Sequence, residues 1–136
     1  VDLDLNGFYI DGAGGVGITV LGANDVRIHD GVLQNVSVGV DFAPGAVVRT
    51  VLEDLRIFGA LSHGIRLDAT NNFAIRRVLI NSTGSGADGI QIHNGSPTTG
   101  RIESCAVTAG GGRGIYIEGG AGVAIVDNAI TNMFGR

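Results

Sequence analysis

The chain has 136 residues, a formal net charge of −4 and an apolar fraction of 44%. This is one domain's worth of chain, with enough Val, Ile and Leu to bury a core, which excludes disorder. The basic residues are all arginines, scattered apart from Arg76–Arg77, and no apolar run approaches the ~20 residues that span a bilayer. Neither a nucleic acid nor a membrane is therefore expected as a partner.

Glycine occupies 24 positions without a three-residue period, which excludes collagen. Taken along the chain, the motif Gly-apolar-x-apolar-x recurs as Gly17-Ile18-Thr19-Val20-Leu21, Gly39-Val40-Asp41-Phe42-Ala43 and Gly64-Ile65-Arg66-Leu67-Asp68. It continues as Gly89-Ile90-Gln91-Ile92-His93 and Gly114-Ile115-Tyr116-Ile117-Glu118, so the glycines are 22, 25, 25 and 25 residues apart. A second motif, two apolar residues five apart, recurs in step as Ile28/Leu33, Leu52/Ile57, Ile75/Ile80, Ile102/Val107 and Ile125/Ile130.

No window holds the i, i+3, i+4, i+7 pattern of a helix for three turns. Two short alternating strands per period predict one coil of a parallel solenoid, with five to six coils stacked ~4.8 Å apart over a single domain, residues 1–136. Glycine is expected to supply the corner conformations that other residues resist.

Three local motifs have plainer structural readings. Gly12-Ala13-Gly14-Gly15-Val16-Gly17 fits the dinucleotide pattern G-x-G-x-x-G, but Ile18-Thr19-Val20 continues as a strand where a helix would have to begin. Cys105 shares its place in the repeat with Gly31, Leu55, Val78 and Asn128, which reads as a packed slot and an inert thiol. The three histidines show no metal-ligand spacing, and no cofactor is expected. The glycosylation-like triplets starting at Asn35, Asn81 and Asn94 read as features of a polar surface.

In each Gly-Ile-x-Ile-x strand the apolar residues face the core and the x positions face out, and stacking aligns equivalent positions. The first outward column is Thr19, Asp41, Arg66, Gln91, Tyr116; the second is Leu21, Ala43, Asp68, His93, Glu118. The residues before the glycines form a third: Val16, Val38, His63, Asp88, Arg113. Alternation turns this last column inward unless the glycine rotates it out.

Polar character concentrates in coils three to five. Asp68, Asp88, His93 and Glu118 are the acid–base candidates; His63, Arg66, Gln91, Arg113 and Tyr116 are the candidate substrate binders. Asp68 and Glu118, two coils and so ~9–10 Å apart, approach the carboxylate separation of inverting glycosidases, with His93 between them. The bland alternative is a ladder of complementary charges on a solvated face.

The run Val1-Asp2-Leu3-Asp4-Leu5-Asn6-Gly7-Phe8-Tyr9-Ile10-Asp11-Gly12, continued by Val26-Arg27-Ile28-His29-Asp30-Gly31, resembles the opening coils of bacterial right-handed parallel β-helix repeat proteins. The resemblance covers essentially the whole chain and implies an all-β, right-handed parallel β-helix of the pectate-lyase-like superfamily. That superfamily includes lyases, hydrolases, epimerases, tailspikes and inert scaffolds. It favours an extracellular or cell-surface location.

The usual N-terminal helical cap is missing, so both coil ends are expected to expose a strand edge and promote homo-oligomers. Ala87-Asp88-Gly89-Ile90 resembles the Asn-Thr-Asp-Gly segment of polygalacturonases, which implies a catalytic role for Asp88. The family's paired Asp-Asp and its Gly-His-Gly have no counterpart, since coil five offers Arg113-Gly114. Of the features of a pectate lyase, only the basic residue has candidates, Arg66 and Arg113. The functional expectation is a module that binds or cleaves an acidic polysaccharide by lyase, hydrolase or epimerase chemistry. The alternative is a non-catalytic, tailspike-like solenoid that self-associates.

Overall fold

The computed structural model describes residues 1–44, 47–68, 70–93, 99–119 and 122–132; the triplet starting at Asn94 lies outside them. The described residues form fifteen strands and no helix. The first coil holds β1 (Asp2–Asp4), β2 (Tyr9–Asp11) and β3 (Ile18–Val20); the second holds β4 (Val26–Gln34) and β5 (Val38–Phe42). The third holds β6 (Val47–Ala60) and β7 (His63–Asp68), and the fourth β8 (Thr70–Arg76), β9 (Leu79–Ser82) and β10 (Asp88–His93). The fifth holds β11 (Gly100–Glu103), β12 (Ala106–Ala109) and β13 (Ile115–Glu118); β14 (Val123–Val126) and β15 (Ala129–Asn132) begin a sixth.

The strands stack in parallel into two sheets. One has five strands, in the order β3-β5-β7-β10-β13; the other has ten, in two stacks that share β4 and β6. The expected solenoid of about five turns is therefore present. The motif strands lie in the five-stranded sheet with Val40, Ile65 and Ile90 in register, as do Phe42, Leu67 and Ile92, and all six are buried. The core is completed from the other sheet by Ile28, Leu52, Ile75 and Ile102 and by Leu33, Ile57, Ile80 and Val107.

Two expectations need correction. The apolar pair five apart is not one straight strand, because two residues an odd number apart point to opposite sides of a flat strand. A left-handed residue between them resets the alternation and turns the chain: Asp30 (φ 56°), Asp54 (53°), Arg77 (51°), Ser104 (54°) and Asp127 (53°). Each complete coil therefore has three sides, not two.

The motif glycines are also not the left-handed corners, since none of Gly17, Gly39, Gly64, Gly89 and Gly114 has a positive φ. They are needed for close approach. A Cβ on Gly89 would lie 2.1 Å from Val107 Cγ1 and 2.6 Å from the carbonyl oxygen of Gly114, and one on Gly64 would meet Ile80 and the Gly89 carbonyl in the same way. Glycine draws the five-stranded sheet down onto the core side chains of the neighbouring sheet, coil after coil.

Cys105 sits directly after the left-handed Ser104 and is buried, as are Leu55 and Val78 at equivalent positions. Its thiol lies 3.3 Å from the Glu103 carbonyl oxygen, and burial pushes its pKa up. Asn128 fills the next such slot, accepting a 2.8 Å hydrogen bond from the Cys105 amide and donating one of 2.9 Å to the Ile102 carbonyl. The glycine run before Gly17 leads straight into β3, so no helix N-terminus is there to meet a pyrophosphate.

Candidate functional site

The outer face of β7, β10 and β13 carries all nine candidate residues or holds them at its margin. Alternation sends Ile65, Leu67, Ile90 and Ile92 into the core and the residues between them outward. The register pairs Arg66 with Gln91 and Gln91 with Tyr116, and likewise Asp68 with His93 and His93 with Glu118, as read from the repeat.

Eight of the nine residues fall into two groups at opposite ends of the strands, five residues or ~16 Å apart along β10, with Gln91 between them. At the C-terminal end, His93 Nδ1 lies 3.4 Å from Asp68 Oδ1 and His93 Nε2 lies 3.1 Å from Glu118 Oε2. The imidazole fills the gap between the two carboxylates and touches both. It is 59% exposed, and Glu118 is similarly open. Arg66 Nε is 4.0 Å from Asp68, but its main partner is Asp41 one coil earlier, with two bonds of 2.8 Å.

At the N-terminal end, Asp88 is buried. It accepts hydrogen bonds from the Arg113 backbone N–H at 2.6 Å and from Arg113 Nε and Nη2 at 3.3 and 3.2 Å. The Arg113 guanidinium lies 3.3 Å over the Tyr116 ring, so one aromatic face is already covered. His63 Nδ1 is 4.0 Å from Asp88 Oδ2 and has no hydrogen-bond partner. Burial pushes the His63 pKa below its ordinary value. The third column thus has no uniform orientation: Val38 and Asp88 are buried, His63 between them is half-buried, and Val16 and Arg113 are exposed. Gln91 lies between the two groups with no side-chain hydrogen bond among the described residues.

Chemically, the C-terminal group is an open line of acid, imidazole and acid. The N-terminal group is a closed ion pair beside a neutral-leaning histidine. Asp88 belongs to the second group, so the four acid–base candidates do not share one centre. Two buried polar atoms on this face lack a hydrogen-bond partner, His63 Nδ1 and Asp68 Oδ1, and both belong to β7.

The ten-stranded sheet carries a charge network that the repeat columns missed. Glu53, with 3% of its side chain exposed, receives Arg27 Nη2 at 2.6 Å, Arg76 Nε at 2.6 Å and Arg77 Nη2 at 2.9 Å. Hydrogen bonding by Arg76, then Arg27, outweighs burial and lowers its pKa to about 2. One coil earlier, the buried His29 meets Asp30 at 2.6 Å through Nδ1 and Asp2 at 3.0 Å through Nε2. The Asp30 contact raises the His29 pKa. Donor atoms of Asp4, His29 and Asp30 lie within 4.8 Å of one another, a spacing that these internal contacts explain.

A family described as the right handed beta helix region matches residues 4–130. No curated protein and no solved structure matches the chain.

Proposed function

The chain belongs to the right-handed β-helix family, and on that premise we propose that it is a carbohydrate-active module holding an acidic polysaccharide along the outer face of β7, β10 and β13. The observation that carries the reading is the line Asp68–His93–Glu118, with contacts of 3.4 and 3.1 Å, half-buried at Asp68 and open to solvent at His93 and Glu118. The exposed edge of the Arg113 guanidinium supplies a site for a uronate carboxylate, and the open side of the Tyr116 ring a surface for a sugar. In a cleavage step the His93 imidazole takes up a proton from the sugar or from water, and the flanking carboxylates stabilise the imidazolium that forms.

Backbone amide NMR titration with an oligogalacturonate tests this reading, with the sample rechecked overnight for new sugar ends. Shifts confined to residues 63–118 on the five-stranded sheet, lost in Arg113→Ala and in His93→Ala, are the expected result. New sugar ends would make the module an enzyme, and shifts without them a binder. An unchanged spectrum sinks the proposal.

A further inference from the structure

The left-handed residues between the two stacks of the ten-stranded sheet fold its outer surface into a groove parallel to the solenoid axis. Across the first three coils it encloses about 510 Å³, within the usual range for ligand sites. It continues past Asp54 and Arg56 into a second stretch of about 400 Å³.

The two walls of the first stretch differ in chemistry. One is the in-register column Tyr9, Val32, Arg56, which offers an aromatic face, a branched aliphatic side chain and the stem of an arginine. The other carries Asp4, Asp30 and Asp54. Tyr9 is 69% exposed, and no cation among the described residues covers its ring.

Arg56 is also singular. Among the described residues every other arginine has an ion-pair partner: Arg27, Arg49, Arg66, Arg76, Arg77, Arg101 and Arg113. Arg56 has none among them, although it lines the same groove as Asp30 and Asp54. An uncovered tyrosine ring and the one arginine without an ion-pair partner among the described residues thus lie together here, whereas on the face of β7, β10 and β13 Arg113 covers one side of Tyr116 and Asp41 holds Arg66.

We propose that this corner groove is a second binding site, for a neutral oligosaccharide. A sugar chain is itself two-sided: its ring C–H groups suit the wall of Tyr9 and Val32, and its hydroxyl edge suits the acceptors of Asp4, Asp30 and Asp54. Arg56 donates to ring or hydroxyl oxygens. Arg77 already neutralises Asp54, and Asp4 and Asp30 still outnumber the one unpaired guanidinium, so the groove disfavours the uronates assigned to the other face relative to neutral sugars. Flat stacking on an exposed tyrosine with few enclosing contacts gives weak binding that gains from ligand length.

The experiment is an amide NMR titration with cellohexaose and laminarihexaose, run beside the oligogalacturonate titration on the same protein. Shifts at Tyr9, Asp30, Val32 and Arg56 are expected with a neutral hexasaccharide and not with oligogalacturonate. Tyr9→Ala and Arg56→Ala, both changes to exposed side chains, should weaken that binding about tenfold while leaving the remaining spectrum folded. No shifts with either neutral sugar at millimolar concentration overturn the site, as do shifts that persist in both variants. Binding of an arginine-rich peptide in place of sugar also overturns it. The oligogalacturonate response at residues 63–118 is read separately, so either site can fail without the other.

Discussion

Two charged faces of this solenoid solve the same problem differently. On the five-stranded sheet each buried carboxylate meets one guanidinium in the next coil, Asp41 with Arg66 and Asp88 with Arg113. On the ten-stranded sheet one buried carboxylate, Glu53, serves three arginines at once. A one-to-one pair ties two neighbouring coils. The hub ties three, because Arg27 comes from coil two, Glu53 from coil three, and Arg76 and Arg77 from coil four. The difference gives the second face the cohesion of coils two to four.

Three substitutions break or sharpen that contrast. Gly89→Ala should be the most damaging. Its new methyl group meets Val107 and the Gly114 carbonyl at distances that neither can yield, so we expect a loss of about 3 kcal/mol in urea unfolding. The damage should centre on β10 and β13, leaving the Glu53 hub protected in hydrogen exchange.

Glu53→Gln comes next, at about 2 kcal/mol once solvent screening of its exposed arginine partners is allowed for. The folded carboxylate stays charged down to about pH 2, whereas an unfolded one protonates near pH ~4.3. Its contribution is therefore complete above the higher value and lost as pH falls toward the lower. Thermal melts of the native protein should weaken across that window, and those of Glu53→Gln should weaken less.

His93→Ala should be nearly silent in stability, under ~0.5 kcal/mol, because the ring is mostly exposed. Its effect should fall on glycan binding. A large loss of stability with unchanged binding would turn the Asp68–His93–Glu118 line into a structural ladder.

How far these faces were legible depends on register. From Val40 to Ile65 to Ile90 to Ile115 the step is 25 residues each time, so the columns of the five-stranded sheet follow from counting. From Ile28 to Leu52 to Ile75 to Ile102 the steps are 24, 23 and 27, which hides the meeting of Arg27, Glu53 and Arg76 in the sequence. The corners were hidden for another reason. Aspartate tolerates the left-handed conformation, but the same place also holds Arg77 and Ser104, so no residue type marks it. One signal was available: two buried residues five apart cannot both face the core across a straight strand. Within the candidate site, the repeat aligned His93 with Asp68 and Glu118, and its alternation turned Asp88 inward unless the glycine rotated it out. The stacking of Arg113 on Tyr116 was hidden, because it depends on side-chain conformations that a repeat pattern does not encode.

The narrow spread of those steps also bears on how the chain reaches this shape. Every strand pairs with one only 22 to 27 residues away in sequence, so no ladder requires distant parts of the chain to find each other. Loop closure costs about the same for each added turn. Folding can start at the best-packed middle coils, where Ile57, Ile65 and Ile80 are fully buried, and zip outward one turn at a time. Protection against hydrogen exchange should then decline smoothly from coil three toward both ends, as in a rope fraying from its tips.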